Sequence, residues 1–248
     1  MLNDFSAVKP NYDRHGYAYL PGFLNREEVG RIHEELKKFI DDCVPKMPAN
    51  CVFYEDLNDP STLKQLQDIH QYSHFFNNLL KGSGFEKLAG VLMDDLPIAR
   101  NIEYFNKPAH VGKATPAHQD GYYFMLKPCK AITMWLALEE ADETNGCVRY
   151  IKGSHLKGMR PHGRTQTLGF SQSITDYSDE DFASEIFFRV QPGDLLVHDA
   201  MTIHRTDANE TERSRKALGF IYFGASAKED VEAKAAYQQK LNDERFRQ

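Results

Sequence analysis

The apolar residues of this chain change period once, near residue 97, and that change does most to limit the folds open to it. Before it, apolar positions recur at helical spacing; after it they fall into short β-branched and aromatic runs divided by turn residues. In the first part Val29, Ile32, Leu36, Phe39 and Ile40 mark a helix over 26–41, with Asn25 as N-cap and Glu28 three residues on. Residues 61–68, 72–80 and 84–93 read as further helices, and 16–21 as a short strand closed by Pro21-Gly22. In the second part the strand-like runs are 98–106, 131–138, 147–152, 185–190, 194–198 and 216–223. Asn145-Gly146 and Pro192-Gly193-Asp194 are turn signals between them.

Short strands following a helical lead-in predict a mainly β chain with flanking helices: a jelly roll, with the N-terminal helices packed on one outer face. A length of 248 residues suits one domain. It divides into a helical lead-in over about 1–95, a jelly-roll core over about 96–224 and a charged, helix-prone tail over 228–248. The connection 155–184 contains Gly158, Pro161, Gly163 and Gly169 and is too long for a plain turn. That length points to a lid or a binding loop.

Composition narrows the function classes. Thirty basic residues against 36 acidic ones give a net charge of −6, without a basic stripe for a nucleic-acid backbone. No apolar run approaches the roughly 20 residues needed to span a bilayer, and the first ten residues lack the pattern of a signal peptide. Cys43, Cys51, Cys129 and Cys147 form no C-x-x-C pair, so they read as reduced thiols of a cytoplasmic protein. The partner expected is a small molecule, with neither nucleic acid nor membrane, and the oligomeric state is not written in the sequence.

Against that background His118-Gln119-Asp120 stands out. In an extended segment residues i and i+2 project to one face, so an imidazole and a carboxylate at this spacing could chelate one metal. A second imidazole would complete the two-histidine, one-carboxylate set that holds non-heme Fe(II) and leaves coordination positions open. His198 and His204, both after the turn at 192–194, are candidates for a third ligand brought across a barrel from a distant strand. Taken singly, each histidine could equally be a hydrogen-bonded core or surface residue. Tyr122-Tyr123-Phe124 follow the pair, as apolar pocket walls or as core aromatics. Trp135, the only tryptophan, lies in a strand-like run where core packing is the default. Arg215 opens an apolar strand, a costly place for a cation without an anionic partner.

The ordered blocks Pro116-Ala117-His118-Gln119-Asp120, Trp135-Leu136-Ala137-Leu138, Asn145-Gly146-Cys147, Gly153-Ser154-His155, Pro192-Gly193-Asp194 and His204 … Arg215-Lys216-Ala217 resemble the phytanoyl-CoA dioxygenase family. Gly16-Tyr17 … Leu20-Pro21-Gly22-Phe23-Leu24 resembles that family's N-terminal signature, so the likeness runs from about residue 12 to 224. The resemblance implies a double-stranded β-helix that uses Fe(II), 2-oxoglutarate and O2, with succinate and CO2 as co-products. It makes His204 the distal ligand beside His118 and Asp120, and His198 a neighbour. It places Arg215, eleven positions after His204, and Thr206, two after it, on the far carboxylate of 2-oxoglutarate. Trp135 and Thr115 become co-substrate contacts, and His155 belongs to a family turn. Retention of Asp120, which halogenating relatives replace, implies hydroxylation of a C–H bond.

For the substrate, Tyr122, Tyr123, Phe124, Arg149 and Arg205 are the candidate contacts. With Arg160, His162 and Arg164 nearby, the arginines suggest an anionic or carboxylated small molecule; solvated surface arginines account for the same pattern. Two further readings use the same residues: a non-catalytic cupin-like binding or sensing protein, and an oxygenase acting on a protein side chain.

Overall fold

The computed structural model describes residues 5–165 and 172–245. The lead-in carries helices α1 (Lys9–His15), α2 (Arg26–Asp42), α3 (Ile69–Tyr72), α4 (His74–Leu80) and α5 (Gly84–Met93). Among them run strands β1 (Tyr17–Leu20), β2 (Val52–Tyr54) and β3 (Leu63–Leu66). Helix α2 starts where the sequence places it, on a capping box. Asn25 accepts from the Glu28 amide at 2.9 Å, and the Glu28 carboxylate accepts from the Asn25 amide at 2.8 Å. Residues 61–68, read from sequence as helix, are instead a 3-10 turn (Pro60–Thr62) followed by β3. Pro60 and the Asp59 side chain, which accepts from the Ser61 amide, favour the turn. Gln65 and Leu66 then pair with Phe105 and Tyr104, and that tertiary pairing overrides local propensity.

The second part carries β4 (Pro97–Lys107), β5 (Thr115–His118), α6 (Gly121–Phe124), β6 (Leu126–Lys127), β7 (Ala131–Ala137) and β8 (Val148–Ile151). Beyond these lie β9 (His162–Arg164), β10 (Gln172–Ile174), α7 (Asp179–Ser184), β11 (Glu185–Phe187) and β12 (Leu195–Asp199). The chain continues through β13 (His204–Thr206), β14 (Arg215–Gly224), β15 (Lys228–Glu229) and α8 (Val231–Arg245). One antiparallel sheet has the order β1-β12-β7-β14-β4-β3-β2; a smaller one facing it has the order β11-β8-β13-β5. The architecture is a jelly roll, mainly β with flanking helices, and three strands of the lead-in extend its larger sheet.

Period-two alternation sorts the large sheet into two faces. Ile132, Met134, Leu136, Leu195, Val197, Leu218, Phe220 and Tyr222 pack with α2, α4 and α5 in one buried core. The alternate residues Trp135, Ala137, Leu196 and Ala217 face inward and meet Val148 and Tyr150 of the small sheet. Both turn signals are used, at backbone only glycine accommodates. Gly146 has φ 87°, with a Cβ position 2.6 Å from the Asp207 carbonyl oxygen; Gly193 has φ 95°, with one 2.3 Å from that of Leu24. The long connection contains β9, β10 and α7, while 166–171, part of the expected lid 155–184, lie outside the described residues. Among the described residues no helix is long and apolar enough to cross a membrane.

Candidate metal centre

His118 and His204 are brought together by strand pairing: β13 runs antiparallel to β5 with His204 directly opposite His118. Their ring centroids lie 4.2 Å apart. The distant candidate ligand thus comes from the hydrogen-bonded neighbour of β5 in the same sheet, not from across the barrel as the sequence suggested. Asp120 also departs from expectation. The strand stops at His118, and Asp120 takes helical backbone (φ −58°, ψ −33°) as the cap of α6. The turn, rather than strand alternation, swings its carboxylate back beside the imidazoles. Asp120 Oδ1 lies 3.5 Å from His118 Nε2 and 3.6 Å from His204 Nε2. Among the described residues these three form the one group of metal-binding type, with ligand atoms within 4.8 Å of one another.

The hydrogen bonds around the trio orient its rings and its carboxylate. His118 Nδ1 is 2.8 Å from the Pro116 carbonyl and His204 Nδ1 is 3.0 Å from the Thr202 carbonyl. A carbonyl can only accept, so each Nδ1 carries the proton and each Nε2 offers its lone pair. Thr133 Oγ1 donates to Asp120 Oδ2 at 2.6 Å, and His198 Nε2 sits 3.1 Å from the same oxygen. That oxygen is occupied, and Oδ1 is turned to the imidazoles. Burial, with His118 and His198 nearby, holds His204 well below the usual histidine range, which keeps it neutral. Burial alone would raise the Asp120 carboxyl; the imidazoles of His204, His118 and His198 outweigh it and keep the group ionised. The set is one carboxylate oxygen and two imidazole nitrogens, a donor set suited to a divalent iron.

These residues line one end of a cavity of about 260 Å³. Arg215 enters the same cavity from β14, 4% exposed, with its guanidinium 5.1 Å from the Trp135 ring centroid. Among the described residues its Nε and Nη1 have no hydrogen-bond partner, nor does Thr206 Oγ1. Burial lowers the Arg215 pKa to about 10, so it remains a cation at neutral pH. A charged fork and a hydroxyl buried without partners are costly, and here both border the space beside the candidate ligands. Thr115, opposite Thr206 in the β5–β13 pairing, lines that space too.

The family model described as phytanoyl-CoA dioxygenase (PhyH) matches residues 12–217. This chain belongs to the phytanoyl-CoA dioxygenase family. It is similar to 1-deoxypentalenic acid 11-beta-hydroxylase of Streptomyces exfoliatus, 28% identical over 84% of this chain and 76% of that protein. It is also similar to the peroxisomal phytanoyl-CoA dioxygenase of Mus musculus, 24% identical over 93% and 71%. Among solved structures, EctD from S. alaskensis with 2-oxoglutarate and 5-hydroxyectoine superposes with a TM-score of 0.74. It is 19% identical, covering 91% of this chain and 79% of that one. EvdO2 from Micromonospora carbonacea var. aurantiaca gives 0.74 at 22% identity, over 93% and 94%. The structural likenesses show the fold; the family shows a 2-oxoglutarate-dependent non-heme iron oxygenase.

Within the family frame the remaining candidates divide. Tyr123, Phe124 and Arg205 line the cavity; Tyr122 and Arg149 are not among its lining residues. Tyr122 instead stacks on His162 with centroids 4.2 Å apart. Arg149 and Arg205 both reach Glu185 and Asp207, and Arg160 pairs with Asp176 and Asp181. Arg149, Arg160 and Arg205, three of the arginines that suggested an anionic substrate, are therefore already paired within the protein. Thr133 and Glu103, which the sequence reading passed over, both face the cavity. Their signal was strand phase: Thr133 is two residues from Trp135, and Glu103 falls opposite in phase to buried Ile102 and Tyr104.

Proposed function

We propose that the chain holds Fe(II) through His118 Nε2, Asp120 Oδ1 and His204 Nε2, and 2-oxoglutarate through Arg215 and Thr206. With these it hydroxylates a C–H bond of a small molecule. The unpartnered Nε and Nη1 of Arg215 and the unpartnered Thr206 hydroxyl, in one cavity with three preset ligands, carry the reading. A non-catalytic binding protein has no need for both. When bound, iron with 2-oxoglutarate and O2 supplies the oxidation, releasing succinate and CO2. The chain's own work is positional. Thr133 and His198 fix the Asp120 carboxylate by its other oxygen, and two backbone carbonyls fix the imidazoles. Trp135, buried beside the Arg215 guanidinium, screens it from bulk water, and charge-assisted bonds gain strength in such surroundings. No side chain is required as a general acid or base.

The small-molecule class accords with a relative named for 1-deoxypentalenic acid and with a structural neighbour solved with 5-hydroxyectoine. Retention of Asp120 favours hydroxylation over halogenation. All four cysteines are free, in keeping with a cytoplasmic enzyme. Supplied with Fe(II), 2-oxoglutarate and O2, the protein should form succinate slowly by itself and faster with its substrate. Absence of succinate from folded, iron-loaded protein across a broad small-molecule screen would count against the proposal.

A further inference from the structure

The cavity is electrically uneven along β4. At one end Lys107 stands in register with Arg215 across the β4–β14 pairing. Glu103, on the same inward face, is in register with Gly219, four residues and roughly 13 Å of strand away. Its carboxylate is buried, 8% exposed, and accepts from Gln65 Nε2 at 3.0 Å and Asn101 Nδ2 at 2.7 Å. Among the described residues no lysine, arginine or histidine forms an ion pair with it. Gln65, 3% exposed, has no partner among the described residues for its Oε1. The amide cannot be reversed without turning that oxygen onto the carboxylate, so an acceptor stands next to Glu103 with nothing among the described residues donating to it. The remaining walls here are Phe105, Phe124, Ile221 and the bare backbone of Gly219.

Acceptors without donors and a carboxylate without a cation describe the complement of what is missing. We infer that Glu103 is the specificity-determining residue of the substrate subsite, which receives a protonated amino group: its N–H bonds go to the Glu103 carboxylate and Gln65 Oε1, and an apolar body rests on Phe124 and Ile221. The inference rests on the reading above, in which 2-oxoglutarate takes the Arg215 end and leaves this end to the substrate. It replaces the anionic substrate suggested by the arginines, which are committed to Glu185 and Asp207. Burial raises the Glu103 pKa to about 7, a burden a bound cation relieves.

The test is calorimetric and needs no turnover. Cyclohexylammonium, cyclohexanol and cyclohexanecarboxylate, one ring with three head groups, are titrated into metal-free protein and into protein loaded with Zn(II) and 2-oxoglutarate. Wild type should bind the ammonium probe at least ~10-fold more tightly than the other two, as charge-assisted bonds imply. Glu103→Gln should lose ~10- to 100-fold for the ammonium alone, with 2-oxoglutarate affinity unchanged. Equal or tighter binding of the carboxylate overturns the inference, and this comparison needs no variant to fold. An ammonium affinity unmoved by Glu103→Gln overturns it too, as does a loss confined to 2-oxoglutarate, which would make Glu103 a co-substrate contact. If 2-oxoglutarate fails to bind at all, the iron reading falls, while the metal-free titration still decides the amine subsite.

Discussion

Replacing Arg215 by methionine should make the metal-free protein no less stable while nearly abolishing 2-oxoglutarate binding. The two effects come from the same observation. In the structure Nε and Nη1 of Arg215 are buried without hydrogen-bond partners among the described residues, and the Trp135 ring 5.1 Å away and the charge of Glu139 offset desolvation only in part. An unpaired buried cation is a cost to the folded state, and an apolar side chain of similar length removes it. Exchange of buried ionic groups for apolar ones is often neutral or stabilising by about 1–4 kcal/mol. With 2-oxoglutarate present the balance reverses. Two charge-assisted bonds at about 1.5–3 kcal/mol each amount to about 3–6 kcal/mol, a loss of roughly two to four orders of magnitude in affinity. Denaturant unfolding of the metal-free protein gives the first number, and calorimetric titration of 2-oxoglutarate into Zn(II)-loaded protein the second. A variant that is destabilised by several kcal/mol yet binds 2-oxoglutarate normally would refute the argument, making Arg215 a core residue with an unseen partner.

Thr133→Val keeps the shape of β7 but removes the 2.6 Å bond to Asp120 Oδ2. Loss of such a supporting bond should weaken Co(II) or Fe(II) binding by about 10- to 100-fold, read by metal titration, with the fold intact by circular dichroism. Glu103 predicts a pH effect on stability. Its pKa is raised from 4.5 to about 7 by burial, so between those values the folded chain holds a proton that the unfolded chain releases. Its contribution is therefore full below about pH 4.5 and is lost as pH rises toward 7, by about 3 kcal/mol. Subtracting the Glu103→Gln unfolding profile from that of wild type should expose this slope in metal-free protein; a flat difference between pH 4.5 and 7 would show that Glu103 is not buried as a lone acid.

The parts of the fold legible in the sequence are those where one physical signal dominates. The α2 helix was visible because an N-cap, a capping-box glutamate and an apolar stripe agree, and β14 because its run of apolar residues is buried on both faces. β5 and β13 were not, although they carry the two histidines: each is three or four residues long, and their pairing is a tertiary choice. The site followed the same rule. Family blocks pointed to His118, Asp120, His204 and Arg215, and spacing alone could not choose between His198 and His204, because both face the same carboxylate from different strands. The arginine cluster was only half legible, since a sequence shows Arg149 and Arg205 but not the Glu185 and Asp207 folded against them.

The central claim is that three side chains and one orphaned guanidinium form an iron and 2-oxoglutarate site. Its most direct test is an anaerobic titration of the protein with Fe(II) and then 2-oxoglutarate, followed by visible absorption. The weak charge-transfer band of chelated 2-oxoglutarate should appear in wild type and vanish in Asp120→Ala and His204→Ala, with all three proteins folded. Folded wild type that shows no band, or a band that survives both substitutions, would contradict the account.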